Sequence, residues 1–106
     1  MNEGDVHFVK ITFKAISEQE MEILLNEDER LSGLFADPAV VNYDGYERGK
    51  HDFVMYFYGT DADTMASLII PELSALPCSD RAVVLKRYGG HGVREETVNL
   101  LTEGRE

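Results

Sequence analysis

The sequence predicts an α+β domain: a ferredoxin-like βαββαβ sandwich with two helices on one face of an antiparallel sheet, plus an extra C-terminal strand. Three observations predict it. Phe53 to Leu76 reads as strand, tight turn and capped helix in direct succession. His7 to Leu25 reads the same way nearer the start. Alternating runs bounded by turn residues fill the rest, so the order is β-α-β-β-α-β, each half repeating the β-α-β logic. At 106 residues the chain is one domain, residues 1–106, and can build a single core without metal or disulfide staples. Residues 1–5 and 102–106 are expected to fray.

Taken in order, His7 to Ala15 alternates. Val9, Ile11 and Phe13 share one face and Lys10, Thr12 and Lys14 the other, as in a half-buried strand. Ser17 and Glu20 then stand at capping-box spacing, with Ile16 and Met21 at the positions of a hydrophobic staple. Met21, Leu24, Leu25, Leu31, Leu34 and Phe35 keep helical spacing. Asp28 falls where an apolar residue belongs, which predicts a bend or break near Asn26 to Asp28. Asp37-Pro38 ends the helix.

Val40 to Glu47 and His51 to Tyr58 are expected to form a hairpin around Arg48-Gly49-Lys50. Gly45 suggests a bulge. Both faces of the second strand are rich, Val54, Tyr56 and Tyr58 on one and Phe53, Met55 and Phe57 on the other, so it is read as central. Thr60 or Asp61 caps the second helix, whose stripe is Met65, Leu68, Ile69, Leu73 and Leu76. Pro71 inside it predicts a kink. Arg81 to Tyr88 is a further strand, Gly89 to Gly92 a flexible loop, and Arg94 to Leu101 a short edge strand.

Composition narrows the function. Hydrophobic residues make up 43% of the chain, which excludes disorder. No apolar run approaches the roughly 20 residues of a membrane span. The N-terminus shows neither the cationic nor the apolar region of a secretory signal, and Cys78 is the sole cysteine. A cytoplasmic location is expected. The net charge of −10 repels phosphate backbones and anionic lipid, so the expected partner is a basic protein rather than nucleic acid or membrane. The acids concentrate between Glu18 and Asp37, whereas Lys10, Lys14, Lys86 and Arg87 fall in strands, so an acidic helical layer should overlie a more neutral or basic sheet.

Asp44-Gly45-Tyr46-Glu47, Tyr56-Phe57-Tyr58-Gly59-Thr60-Asp61-Ala62-Asp63 and Arg87-Tyr88-Gly89 carry a resemblance. In these stretches the chain resembles a group of small, mostly uncharacterised bacterial proteins. That group shares a DG-x-E hairpin strand, a Y-x-Y-G-x-D-A-D strand-to-helix turn and an R-Y-G strand end. The resemblance runs from about His7 to Leu100. It implies the ferredoxin-like fold and a bacterial source, and it implies no activity.

Residues that could carry chemistry have simpler readings. His7, His51 and His91 lack metal-ligand spacing and read as surface-loop residues. Cys78 has no neighbouring base in sequence and reads as an inert thiol. Asp61 and Asp63 are accounted for by helix capping and the helix dipole, and they do not complete a calcium loop. Asp44 and Glu47 point to opposite faces of a strand unless a bulge intervenes. Gly89-Gly90-His91-Gly92 lacks the lysine of a phosphate-binding loop.

The expectation is therefore a non-enzyme with no catalytic residue, cofactor or metal. It is read as a small acidic protein-binding domain, in its sharpest form an immunity-type inhibitor of a basic toxin or nuclease. Glu18, Glu22, Glu27, Asp28 and Glu29 would face the partner, with Tyr56 and Tyr58 as anchors. Two other readings stand beside it. One is a small-molecule sensor or enzyme subunit of the ferredoxin-like class, using the sheet face or the Gly89 to Gly92 region. The other is a self-associating structural domain, a homodimer through its sheets.

Overall fold

The computed structural model describes residues 6–89 and 94–103. Five strands form one antiparallel sheet in the order β2-β3-β1-β4-β5. They are β1 (His7–Phe13), β2 (Asn42–Arg48), β3 (Phe53–Gly59), β4 (Ala82–Arg87) and β5 (Glu95–Asn99). Two long helices, α1 (Glu18–Ser32) and α2 (Ala62–Leu73), are joined by a short terminal one, α3 (Leu100–Glu103). No helix among the described residues is long and apolar enough to cross a membrane.

The period-two patterning positions the core. Val9, Ile11, Phe13, Phe53, Met55, Phe57 and Val84 are all fully buried on one sheet face. Met21, Leu24 and Leu31 of α1 and Met65, Ile69, Ile70 and Leu73 of α2 close over that face in the same cluster. Both helices therefore lie on one side, and β3 sits inside the sheet between β2 and β1. The alternate residues, Lys10, Thr12, Val54, Tyr56, Tyr58, Val83, Leu85 and Arg87, are only half-buried, because no element covers them.

The start of α1 follows the sequence closely. The Ser17 hydroxyl accepts from the Glu20 N–H (3.1 Å), and Glu20 Oε1 accepts from the Ser17 N–H (2.9 Å). Ile16 and Met21 are buried beside the cap. The expected break near Asn26 to Asp28 does not occur. Asp28 is not a misplaced core residue, since its carboxylate accepts a hydrogen bond of 2.6 Å from the Tyr43 hydroxyl on β2. The helix also stops earlier than Asp37-Pro38. Gly33 caps it, its N–H reaching the carbonyls of Arg30 and Leu31, and Leu34 is left exposed.

Gly45 marks a bulge, as expected, with φ 104° and a register shift after Tyr43. Asp44 is the extra, unpaired residue of that bulge. The hairpin reverses one step later than expected, where the Gly49 N–H donates to the Asp52 carbonyl (2.9 Å). Asp61 caps α2, accepting from the Asp63 N–H and the Thr64 hydroxyl. Leu68 is 46% exposed and stands outside the buried stripe, its expected place taken by Ala66 and Ile70. Pro71 lies on the exposed side, within a helix that continues to Leu73. The edge strand is present as β5, and a short helix, α3, follows it through Glu103. The expectations for residues 1–5, Gly90 to Gly92 and 104–106 lie outside the described residues.

Candidate functional site

The carboxylates of α1 divide into two sets. Three are engaged by the fold. Glu20 takes the Arg81 guanidinium at 2.6 Å; this bond and the Ser17 N–H, the larger influence, hold its carboxyl below the ordinary range. Glu27 is forked by Arg30 at 2.6 Å, and Arg30 also reaches Glu72 on α2 at 2.8 Å. Asp28 is held by Tyr43. The other three, Glu18, Glu22 and Glu29, are exposed and form no side-chain hydrogen bond or ion pair among the described residues.

Helix geometry puts those three in line. At 100° per residue, Glu18, Glu22 and Glu29 fall within about 40° of one another and span about 16 Å of axis. Half-buried Leu25 sits in the same stripe, so the line reads acid, acid, apolar, acid. Glu18 and Glu22 are like charges at i, i+4, an arrangement that costs the isolated helix about 0.2–0.5 kcal/mol. Beside the stripe runs an open cleft of about 700 Å³, between the start of α1 and the β2–β3 turn. Glu18 and Glu22 line one wall, Arg48, Lys50 and His51 line the other, and Ile16, Met21 and Leu25 lie between.

Tyr56 and Tyr58 do not join this surface. They are on the uncovered sheet face, across the sheet from α1, so the expected acid-plus-tyrosine epitope is two separate surfaces. Around them the register builds three rows across β3, β1 and β4: Tyr58–Phe8–Arg87, Tyr56–Lys10–Leu85 and Val54–Thr12–Val83. Phe8 is only 7% exposed although it faces away from the helices. Tyr56 and Tyr58 pack on its ring at 6.0 and 5.1 Å, and the Arg87 guanidinium lies 4.8 Å from its centre. Tyr56 donates to Glu47 at 2.5 Å, which pushes the phenol up to about 12 and keeps it neutral. The remaining tyrosines lie elsewhere. Tyr43 and Tyr46 pack on Phe57 and Phe53 of the helix-covered face, and Tyr88 lies just beyond β4.

At the end of β4 the structure joins residues that the sequence left apart. Lys86 is 3% exposed, with its ammonium 3.2 Å from Asp63 and 3.5 Å from Glu96. The Tyr88 hydroxyl donates to Asp63 at 2.7 Å, and the Arg94 guanidinium lies 4.0 Å from the centre of the Tyr88 ring. Tyr88 first and Lys86 second hold the Asp63 carboxyl below its ordinary value. So Asp63, read as a helix-dipole residue, also anchors α2 to β4. His7 is likewise no surface-loop residue. Its Nδ1 accepts from the Ala62 N–H at 2.9 Å, satisfying a donor in the first turn of α2. His51 sits exposed in the hairpin turn, and His91 lies outside the described residues.

Cys78 is fully buried, and burial pushes its thiol pKa up, the opposite of what a nucleophile needs. No group of three or more His, Cys, Asp or Glu side chains that could hold a metal occurs among the described residues. Comparison with protein-family models, with curated proteins and with solved structures finds no match.

Proposed function

We propose that this chain is a ferredoxin-like βαββαβ domain with an added fifth strand, acting in the cytoplasm as a small acidic, non-enzymatic protein-binding module. The strand order β2-β3-β1-β4, with both long helices on one face, supports the fold reading. The partner is a basic protein, and the sharpest form of the reading is an immunity-type inhibitor of a basic toxin or nuclease. One observation carries it: α1 neutralises Glu20, Glu27 and Asp28 internally and leaves Glu18, Glu22 and Glu29 in a solvent-facing line around Leu25. None of the three forms an ion pair or side-chain hydrogen bond among the described residues, and Glu18 and Glu22 repel each other as like charges at i, i+4. A negative stripe with an apolar residue set in it suits a basic surface, which it would steer during encounter and dock once in contact.

The test is comparative capture from native lysate with the wild-type protein and with Glu18→Lys/Glu22→Lys/Glu29→Lys as baits. The reading expects a basic protein held by the wild type and lost with the triple variant. A catch that is the same for both baits, or no specific catch at all, would refute it.

A further inference from the structure

We propose that the uncovered sheet face is a self-association surface, whose occupant is a second copy of this chain related by a two-fold axis lying along β1. The face is on the far side of the sheet from α1, so this inference stands or falls independently of the acidic stripe.

Charge points to a second copy. The chain carries −10, which makes approach between most surfaces of two copies repulsive. This face is the exception. Lys10 and Arg87 are balanced by Glu47 and Glu95, and the other residues that the register places on it are uncharged. The face as a whole is neutral, so like faces can meet with repulsion confined to the Lys10 pair.

The register supplies the fit. A two-fold along β1 lays β3 of each copy over β4 of the other. Arg87 then meets Tyr58, Leu85 meets Tyr56 and Val83 meets Val54, each pairing occurring twice. A guanidinium on a phenol ring and an aliphatic side chain on an aromatic one are favourable contacts. Lys10 is the exception. It lies on the axis opposite its own copy, and its long stem must carry the ammonium toward the rim.

Area sets the strength. Strands about 4.8 Å apart with a rise of about 3.4 Å per residue give the face a footprint on the order of 400 Å². That is about half of the roughly 800 Å² per partner of a standard interface. The dimer is therefore weaker than a standard-size interface would make it, and concentration-dependent.

Sedimentation velocity across a concentration series tests this with two variants of opposite expected sign. Leu85→Arg sets a further cation beside Lys10 and should raise the dissociation constant by at least about tenfold. Lys10→Met removes the like-charged meeting and should lower it by about tenfold, with the mass stopping at twice that of one chain, where misfolding would give larger aggregates. The wild type should move from one chain mass toward twice that mass. A wild type that stays monomeric to about 1 mM would overturn the proposal. So would a dimer indifferent to both variants, or one dispersed by Glu22→Lys on α1. Capture of a different protein by a monomeric wild type, lost with Leu85→Arg, would assign the face to that partner and overturn the second copy.

Discussion

Gly59 closes β3 where the chain turns into α2, and the space around it has no room for a methyl group. A Cβ at this position would press into the Val40 carbonyl oxygen, well inside any real contact, and would lie 2.8 Å from Met65 Sδ and 3.0 Å from the Val40 carbonyl carbon. Neither neighbour can give way cheaply. Val40 belongs to a turn braced by three bonds to Asp37, from Val40 N (3.0 Å), Val41 N (3.1 Å) and Ala39 N (3.0 Å). Met65 is fully buried. Overpacking against side chains costs about 1–3 kcal/mol, and pressure against a braced backbone belongs at the upper limit, about 3 kcal/mol for Gly59→Ala. For a domain of this size that is a fall of about 12–24 °C in Tm. Gly33→Ala is the control, because nothing lies within 4 Å of its added Cβ; it should stay within about 0.5 kcal/mol of wild type. Urea and thermal unfolding of the three proteins read both effects. A Gly59→Ala cost below about 1 kcal/mol, or equal to that of Gly33→Ala, would refute the steric reasoning.

Other expectations follow from single contacts. Tyr43→Phe removes the bond to Asp28 and should cost about 1–2 kcal/mol; an unchanged urea midpoint would mean that water replaces it without loss. The folded pKa of Asp63 lies below its ordinary value of 3.8, so this group stabilises the fold above about pH 4 and loses that contribution as acid protonates it. Asp63→Asn should flatten the stability-against-pH curve below about pH 4, and a curve parallel to wild type there would contradict the assignment. Cys78 should react with a thiol reagent only as fast as the protein opens, so its rate should climb with urea in step with unfolding. Prompt reaction in the native protein would show the thiol to be accessible.

Much of the fold was legible because its signals are local. The capping box at Ser17 and Glu20, the staple of Ile16 and Met21, the bulge at Gly45 and the Asp61 cap each need only residues within a few positions of one another. The end of α1 was also signalled locally, by Gly33, a glycine just past a helix whose last turn carries Arg30. Asp37-Pro38, four residues on, is a competing stop signal. What sequence could not show is long-range. Tyr43 bonds Asp28 across 15 positions, Tyr88 bonds Asp63 across 25, and His7 caps Ala62 across 55. Asp28 looked like a defect in the apolar stripe, and Asp63 like a simple dipole residue, because their partners arrive only with the tertiary fold. The division of the α1 acids into engaged and solvent-facing sets has largely the same origin, since Arg81 and Tyr43 engage Glu20 and Asp28 from afar, and only the Glu27–Arg30 pair, three positions apart, is local. Alternation did place Tyr56 and Tyr58 on one face, but it could not say that α1 lies over the other.

The protein-binding claim is tested most directly by stopped-flow association with the captured basic partner, followed from about 20 to 300 mM salt. Steering by Glu18, Glu22 and Glu29 predicts a wild-type rate that falls at least about tenfold over that range, and a slower, nearly flat rate for the triple lysine variant. Equal salt slopes for the two proteins would contradict it.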